Sequence, residues 1–228
     1  MKSQQSGFTL VEIAIVLVII GLLLGGILKG QELINSAKVK NLANDFRVIP
    51  TYIYAYQDKF KALPGDDKVA DQHISGATVA TTGGTVGNGV IEGGWNSTTV
   101  TDESFLFWQH VRMANLAAGP TSVTDATYRP TNAVGGELGV ASTTATPQIT
   151  GMTGTYQICS KGVLGKFVVQ LDVQMDDGQP GTGSMRAIAD VGAAVTVSQT
   201  PVKTAGAPAS CTGAVLDENT NYTVCMTF

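Results

Sequence analysis

Charged residues are scarce in this sequence. Aspartate, glutamate, lysine and arginine make up 14% of its 228 residues, whereas soluble domains average about 25%. This scarcity excludes a solvated disordered tail and a highly charged helical bundle. Positive charge is not in excess either, because the formal net charge is −4 at pH 7. We therefore expect that no nucleic acid binds through a basic face.

Residues that commonly carry catalysis or bind metals are equally sparse. The sequence has two histidines, His73 and His110, and three cysteines. It contains neither H-E-x-x-H nor C-x-x-C, two spacings typical of zinc or redox sites. It also shows no spaced set of nucleophile, base and orienting residue. We therefore expect no catalytic residue, no metal, no cofactor and no enzymatic activity.

Acidic residues cluster in two turns, at Asp66-Asp67 and at Asp176-Asp177-Gly178. Calcium prefers several oxygen ligands in loops of this composition. Neither cluster has the alternating D-x-[DN]-x-[DN]-G pattern of an EF-hand. The sequence therefore favours carboxylates that accept hydrogen bonds from turn amides over a metal site.

A long apolar run is what the sequence does contain, near its N-terminus. Residues 8–28 read FTLVEIAIVLVIIGLLLGGIL, with Glu12 as the one ionisable side chain. A helix of this length spans about 30 Å, the thickness of the hydrocarbon layer of a membrane. The run is longer than the apolar stretch of a secretory signal peptide. An uncleaved signal anchor is the simplest interpretation.

Two features go beyond a simple anchor. The helical pattern continues past Lys29 as an amphipathic helix and ends near Leu63-Pro64-Gly65. Glu12 lies at bilayer depth, where a charge is costly and usually has a functional partner. No other residue of the run is expected to pair with it. A free amine at Phe8, created by a cut after Gly7, would supply the missing cation.

The segment Gly7-Phe8-Thr9-Leu10-Val11-Glu12, followed by the apolar run, resembles the processing motif of type IV pilins and type II secretion pseudopilins. This resemblance implies cleavage after Gly7 and N-methylation of Phe8. It also implies that Glu12 acts in assembly. The corresponding domains are a leader at residues 1–7, a long helix at 8–63 whose membrane-spanning part is about 8–28, and a head at 64–228.

The same resemblance implies a set of partners and a location. The partners are a prepilin peptidase, an assembly platform in the inner membrane, further copies of the chain in a homo-oligomeric filament, and other pilins or pseudopilins. Before assembly the protein would cross the inner membrane once, with its N-terminus in the cytoplasm. After assembly it would lie in a periplasmic or extracellular filament.

The head is predicted to be an α+β domain. A helix is predicted over 102–117, capped by Thr101 or Asp102, with Trp108 as a core residue. Residues 161–175 fit both the alternation of a strand and a helical stripe, and a helix capped by Ser160 is the favoured prediction. The other predictions are loops over 65–101 and 119–154, and short strands at 155–159, 184–190, 195–199 and 222–228.

Three cysteines in an extracytoplasmic protein predict one disulfide and one remaining thiol. Many pilins have a disulfide-bounded loop near the C-terminus, so the resemblance favours the pair Cys211–Cys225 and leaves Cys159 as a buried thiol. Pairs between Cys159 and either of the other two stay open.

The functional hypothesis is a structural subunit of a type IV pilus. A type II secretion pseudopilin is the alternative. A membrane-anchored binding protein or enzyme is a more remote one, and it would keep an intact N-terminus.

Overall fold

The computed structural model describes residues 9–144, 148–190, 200–207 and 213–228. Within these residues the chain is α+β, with a long N-terminal helix and a small antiparallel sheet. The elements are α1 (Leu10–Phe60), α2 (Ala70–His73), α3 (Glu103–Met113), β1 (Leu138–Ser142), β2 (Tyr156–Leu164), α4 (Gly165–Met175), β3 (Met185–Ala189) and β4 (Asn221–Thr227). The fold class predicted from the sequence is confirmed.

The chain divides into two compact units, residues 1–38 and 39–228. Helix α1 contributes residues to both and continues through Pro50. The buried residues of α1 all lie in the second unit, at the i, i+3 and i+4 spacing expected of a helix that packs one face against a core. These residues are Val39, Leu42, Ala43, Phe46, Ile49, Ile53 and Tyr56.

The sheet has four antiparallel strands in the order β1-β2-β4-β3. Because successive side chains of a strand point to opposite faces, the sheet separates two apolar clusters. Val140, Ile158 and Val224 pack in the main core with α1, α3 and α4. The neighbouring positions along these strands, including Ala141, pack in a smaller cluster on the other face.

Cysteine pairing follows from the register of this sheet. Cys159 in β2 lies directly opposite Cys225 in β4, with a Cα–Cα distance of 4.1 Å, and the two form a disulfide. The predicted Cys211–Cys225 pair is therefore wrong, and Cys159 is buried but not a free thiol. Strand register, rather than closeness along the sequence, brings two cysteines within bonding distance. Cys211 itself lies outside the described residues.

The helix predicted from residue 161 begins later than expected. β2 continues to Leu164, and Ser160 is buried inside that strand instead of capping a helix. Pairing with β4 shifts between Ser160 and Val163, around Gly162 with φ +74°. Glycine adopts this left-handed conformation readily, so the strand passes the irregularity and stays in the sheet.

The remaining elements test the other predictions. α3 confirms the helix predicted around 102–117, and Trp108 is buried in the main core. Asp102 precedes α3, yet its carboxylate accepts hydrogen bonds from Thr82 and Ser97 instead of capping the helix. β1 and α2 lie in segments predicted as loops. The strand predicted at 195–199 lies outside the described residues.

Candidate functional site

The first unit exposes a continuous apolar surface. Side chains of residues 9–29 are all exposed, and the large ones include Leu10, Leu22 and Leu28. Among the described helices, α1 is the one long and apolar enough to cross a membrane, judged by length and composition. The unit therefore has the properties of a segment that is covered by lipid or by other helices.

A reciprocal pair of side chains begins α1. The backbone N–H and the hydroxyl of Thr9 both donate to Oε2 of Glu12, at 2.9 and 2.8 Å. In return, the Glu12 backbone N–H donates to Oγ1 of Thr9 at 3.3 Å. This is a capping box, which satisfies amides that the first helical turn would otherwise leave without acceptors.

Glu12 thus has a partner inside the apolar run, contrary to the sequence-based prediction. The spacing T-x-x-E at Thr9 and Glu12 signals a capping box and could have revealed it. Both hydrogen bonds from Thr9 reach Oε2, so among the described residues Oε1 accepts no hydrogen bond. One oxygen of the carboxylate therefore orders the helix start. Gly7 and Phe8, where processing is predicted, lie outside the described residues.

Comparison with known families places this helix start in context. The family model described as the prokaryotic N-terminal methylation motif matches residues 2–28 of the chain. The chain carries a prepilin-type motif. No curated protein and no solved structure gives a significant match.

The prepilin-type motif indicates a type IV pilin-like protein or a pseudopilin. It implies processing by a prepilin peptidase and assembly with other pilins. Together with the long apolar helix, it indicates membrane anchoring before assembly. The match ends at residue 28 and does not cover the second unit, whose side-chain contacts are described next.

A buried carboxylate organises the loop that follows α1 in the second unit. Oδ2 of Asp67 accepts a hydrogen bond from the Tyr56 hydroxyl at 2.9 Å and lies 2.6 Å from Nδ1 of His73. Burial and the hydrogen bond to Asp67 raise the pKa of Tyr56 above its usual range. The Tyr56 hydroxyl therefore stays protonated and acts as a donor, which ties the end of the long helix to the loop.

His110 joins the same loop to α3. It is fully buried, its Nδ1 accepts the backbone N–H of Gly65 at 2.9 Å, and its Nε2 lies 2.8 Å from the carbonyl oxygen of Thr78. These partners require a neutral ring with the proton on Nε2. Burial lowers the pKa of His110, in agreement with that form.

Asp66 binds the glycine-rich segment at residues 83–89. Its carboxylate accepts backbone N–H groups from Gly87, Asn88 and Gly89. Consecutive glycine-rich amides often bind phosphate. Here the protein's own anion occupies them, which agrees with the predicted bonding between carboxylates and turn amides.

A cavity of about 650 Å³ opens beside this loop. Asp67 and His73 face it together with Phe60, Lys61 and Tyr156. A histidine oriented by an aspartate can act as the base for a neighbouring serine, threonine or cysteine nucleophile. Among the described residues that line the cavity there is no serine, threonine or cysteine. The hydrogen bonds that join Asp67 to Tyr56 and to His73 give this carboxylate a structural role at the end of α1.

A third acidic residue joins the turn at residues 176–178. Asp172, in the last turn of α4, lies with Asp176 and Asp177 so that one ligand oxygen from each falls within 4.8 Å of the other two. We call these three residues the acidic turn cluster. The sequence pattern indicates Asp176 and Asp177 but not Asp172. The spacing of four residues between Asp172 and Asp176 on a helical segment could have suggested it.

Proposed function

We propose that this protein is a structural subunit of a type IV pilus. In this proposal the peptidase cuts after Gly7, Phe8 becomes the methylated N-terminal residue, and α1 holds the subunit in the inner membrane until assembly. The observation that carries the proposal is the prepilin-type motif directly before an exposed apolar helix.

Assembly would transfer the apolar half of α1 from lipid into a bundle of identical helices. Lipid and bundle are similarly apolar, so the exchange itself provides little hydrophobic free energy. Register must then come from a polar contact. We propose that the Phe8 amine of one subunit pairs with Glu12 of its neighbour, because a buried charge is strongly destabilising unless it has a partner. Oε1 of Glu12 accepts no hydrogen bond from the described residues, which supports this role.

The first test is mass spectrometry of the mature N-terminus in a strain that produces the full chain. We expect a chain that starts at N-methylated Phe8. An intact Met1 on a monomeric membrane protein would contradict the proposal and favour the membrane-anchored binding protein.

The second test separates the charge of Glu12 from its capping role. Glu12→Leu removes both, whereas Glu12→Gln keeps an oxygen that can accept from Thr9 but has no charge. We expect both variants to be processed and membrane-bound, with the amount in sheared fibres reduced roughly tenfold or more.

Glu32→Gln is the matched control, since Glu32 is an exposed residue of α1 whose carboxylate pairs with Lys29. The control should assemble normally. Normal fibres from Glu12→Leu would refute the pairing. If Glu12→Gln formed normal fibres and Glu12→Leu did not, assembly would depend on the capping of α1 by Glu12 and not on its charge.

A type II secretion pseudopilin is the second candidate, because the same motif occurs in both systems. Recovery of the protein in sheared surface fibres would favour the pilus. Loss of exoprotein secretion on deletion of the gene, with fibres intact, would favour the pseudopilin.

A further inference from the structure

The cavity beside the loop that follows α1 has a size and a wall that suit a small molecule. Its volume of about 650 Å³ lies within the range of about 300–1,000 Å³ that small-molecule sites occupy. Its wall combines apolar side chains, among them Leu63 and Val69, with polar side chains from α1, the loop, α2 and β2. An apolar wall with a few polar groups is typical of a binding site for a small ligand.

Tyr156, the first residue of β2, supplies the polar group of the wall that most clearly lacks a partner. It lines the cavity and is only 8% exposed. Its ring packs against Phe228, whereas its hydroxyl forms no hydrogen bond with any residue that the structure describes. Burial raises the pKa of Tyr156, and Tyr54 and Asp66 add to the effect. The hydroxyl therefore stays protonated and can both donate to a ligand and accept from it.

Two further polar groups of the wall are also unpaired. The side-chain amide of Gln57, near the end of α1, forms no hydrogen bond with the described part of the chain. His73 places its Nδ1 2.6 Å from Oδ2 of Asp67. Because a carboxylate is the acceptor there, Nδ1 carries a proton and Nε2 is the acceptor of the neutral ring. Nε2 has no hydrogen-bond partner within the described ranges, so donors and acceptors are both free in one wall.

Charge along this wall is balanced. Asp66 and Asp67 lie in its buried part, and both carboxylates already accept hydrogen bonds from the protein. Lys61 and Lys68 lie at its exposed edge. The buried carboxylates would repel an anionic ligand, and the two ammonium groups would repel a cationic one. A ligand without net charge avoids both penalties.

We propose that this cavity binds a neutral polyhydroxylated ligand of the simple-sugar class. A hydroxyl group both donates and accepts, so several hydroxyls on one ring can satisfy Tyr156, Gln57 and Nε2 of His73 together. The C–H groups of a sugar ring are apolar and suit Leu63 and Val69. An aliphatic ligand of the same size would leave the three polar groups unpaired, which would weaken its binding.

This inference does not depend on the proposed filament function. All the residues that line the cavity belong to the second unit, which the prepilin-type motif does not cover. Failure of the sugar site would therefore leave the filament proposal unchanged.

The experiment uses the full chain in micelles of a detergent without a sugar headgroup, so that the detergent does not compete for the site. The probes are the methyl glycosides of glucose, galactose, mannose, N-acetylglucosamine and N-acetylgalactosamine, each titrated by saturation-transfer NMR and calorimetry. We expect at least one of them to bind at one site per chain with a Kd of about 1 mM or lower. Glucuronate and protonated glucosamine should bind at least about tenfold more weakly than the best neutral probe, because each carries a charge.

Two variants test the groups assigned to the site. Tyr156→Phe removes the hydroxyl and keeps the ring, and Gln57→Met removes the amide at similar size. Each should weaken binding of the best probe by about fivefold or more, because each removes a hydrogen bond. The matched control is Tyr52→Phe, since Tyr52 is a partly buried tyrosine of α1 that packs against the main core and is not among the described residues that line the cavity. It should bind the probe as the wild type does.

Each result supports or overturns the site. Tyr156→Phe keeps the packing against Phe228 and should fold; if it does not, Gln57→Met decides. The proposal is overturned if no neutral glycoside binds at about 20 mM, or if a charged sugar binds more tightly than all of them. It is also overturned if Tyr156→Phe and Gln57→Met bind the best probe as tightly as the wild type.

Discussion

Glu103 shows how burial sets the chemistry of a single side chain in this protein. It is the first residue of α3 and is fully buried. Its Oε2 accepts the backbone N–H of Glu92 at 2.7 Å, while Oε1 has no partner among the described residues. Burial raises its pKa to about 7, and the neighbouring carboxylates of Asp66, Glu92 and Asp102 add to the effect.

Because its pKa is raised, we expect Glu103 to make the folded state less stable as the pH increases. The folded state holds this proton more tightly than the unfolded chain, so stability falls as pH rises from about 4.5 through about 7. Glu103→Gln removes the ionisation. We expect its free energy of unfolding, relative to the wild type, to increase by roughly 1–3 kcal/mol between pH 5 and pH 8.

Denaturant unfolding of the full chain in detergent at a series of pH values measures this difference. Glu218→Gln serves as the control, because Glu218 is exposed, and its stability should run parallel to that of the wild type. Parallel profiles for Glu103→Gln and the wild type would show that Glu103 does not titrate in this range.

Among the secondary-structure elements, β2 and β4 show why the local sequence pattern did not predict the boundary between β2 and α4. The segment 161–175 supports both a strand pattern and a helical stripe. In the structure, pairing with β4 extends β2 through the first residues of that segment, and the helical stripe takes over at Gly165. Hydrogen bonds to a distant strand decide such a boundary, and the distance along the chain hides them from any local window.

The pairing of β2 with β4 also makes a covalent prediction. Proteolysis of the non-reduced protein should yield one linked species that contains Cys159 and Cys225, identified by mass spectrometry. After reduction, the peptide that contains Cys159 and the peptide that contains Cys225 should be detected separately. The bridge joins residues 66 apart in sequence, and its loss should lower stability by roughly 4 kcal/mol in the chain-entropy model. A linked peptide that contains Cys211 and Cys225 would contradict the strand register.

For the second unit as a whole, the loop after α1 connects the long helix to α3. Gly65 has φ +92°, and a Cβ atom there would lie far inside van der Waals contact with the carbonyl oxygen of Glu103. The Gly65 N–H also donates to His110. The absence of a side chain at Gly65 is therefore what allows this close approach of two segments.

Gly65→Ala should accordingly be much more destabilising than an alanine at another glycine with positive φ. The control is Gly135→Ala, because Gly135 has φ +85° and a Cβ atom added there would meet no described atom within 4 Å. Both variants share the backbone strain, and only Gly65→Ala adds the steric clash. We expect an additional loss of roughly 2 kcal/mol or more in the free energy of unfolding. Equal losses would mean that the loop relaxes without disturbing α3.

The linear order of residues was sufficient for the parts of this protein that depend on local pattern. The apolar run, the amphipathic continuation of α1 and the motif from Gly7 to Glu12 depend on neighbours within a few helical turns, so they can be recognised without tertiary contacts. Long-range contacts decided the rest. The Cys159–Cys225 bridge, the burial of Asp172 beside Asp176 and the neutral His110 all result from segments that pack together although they are distant in sequence, or from burial that no local pattern reports.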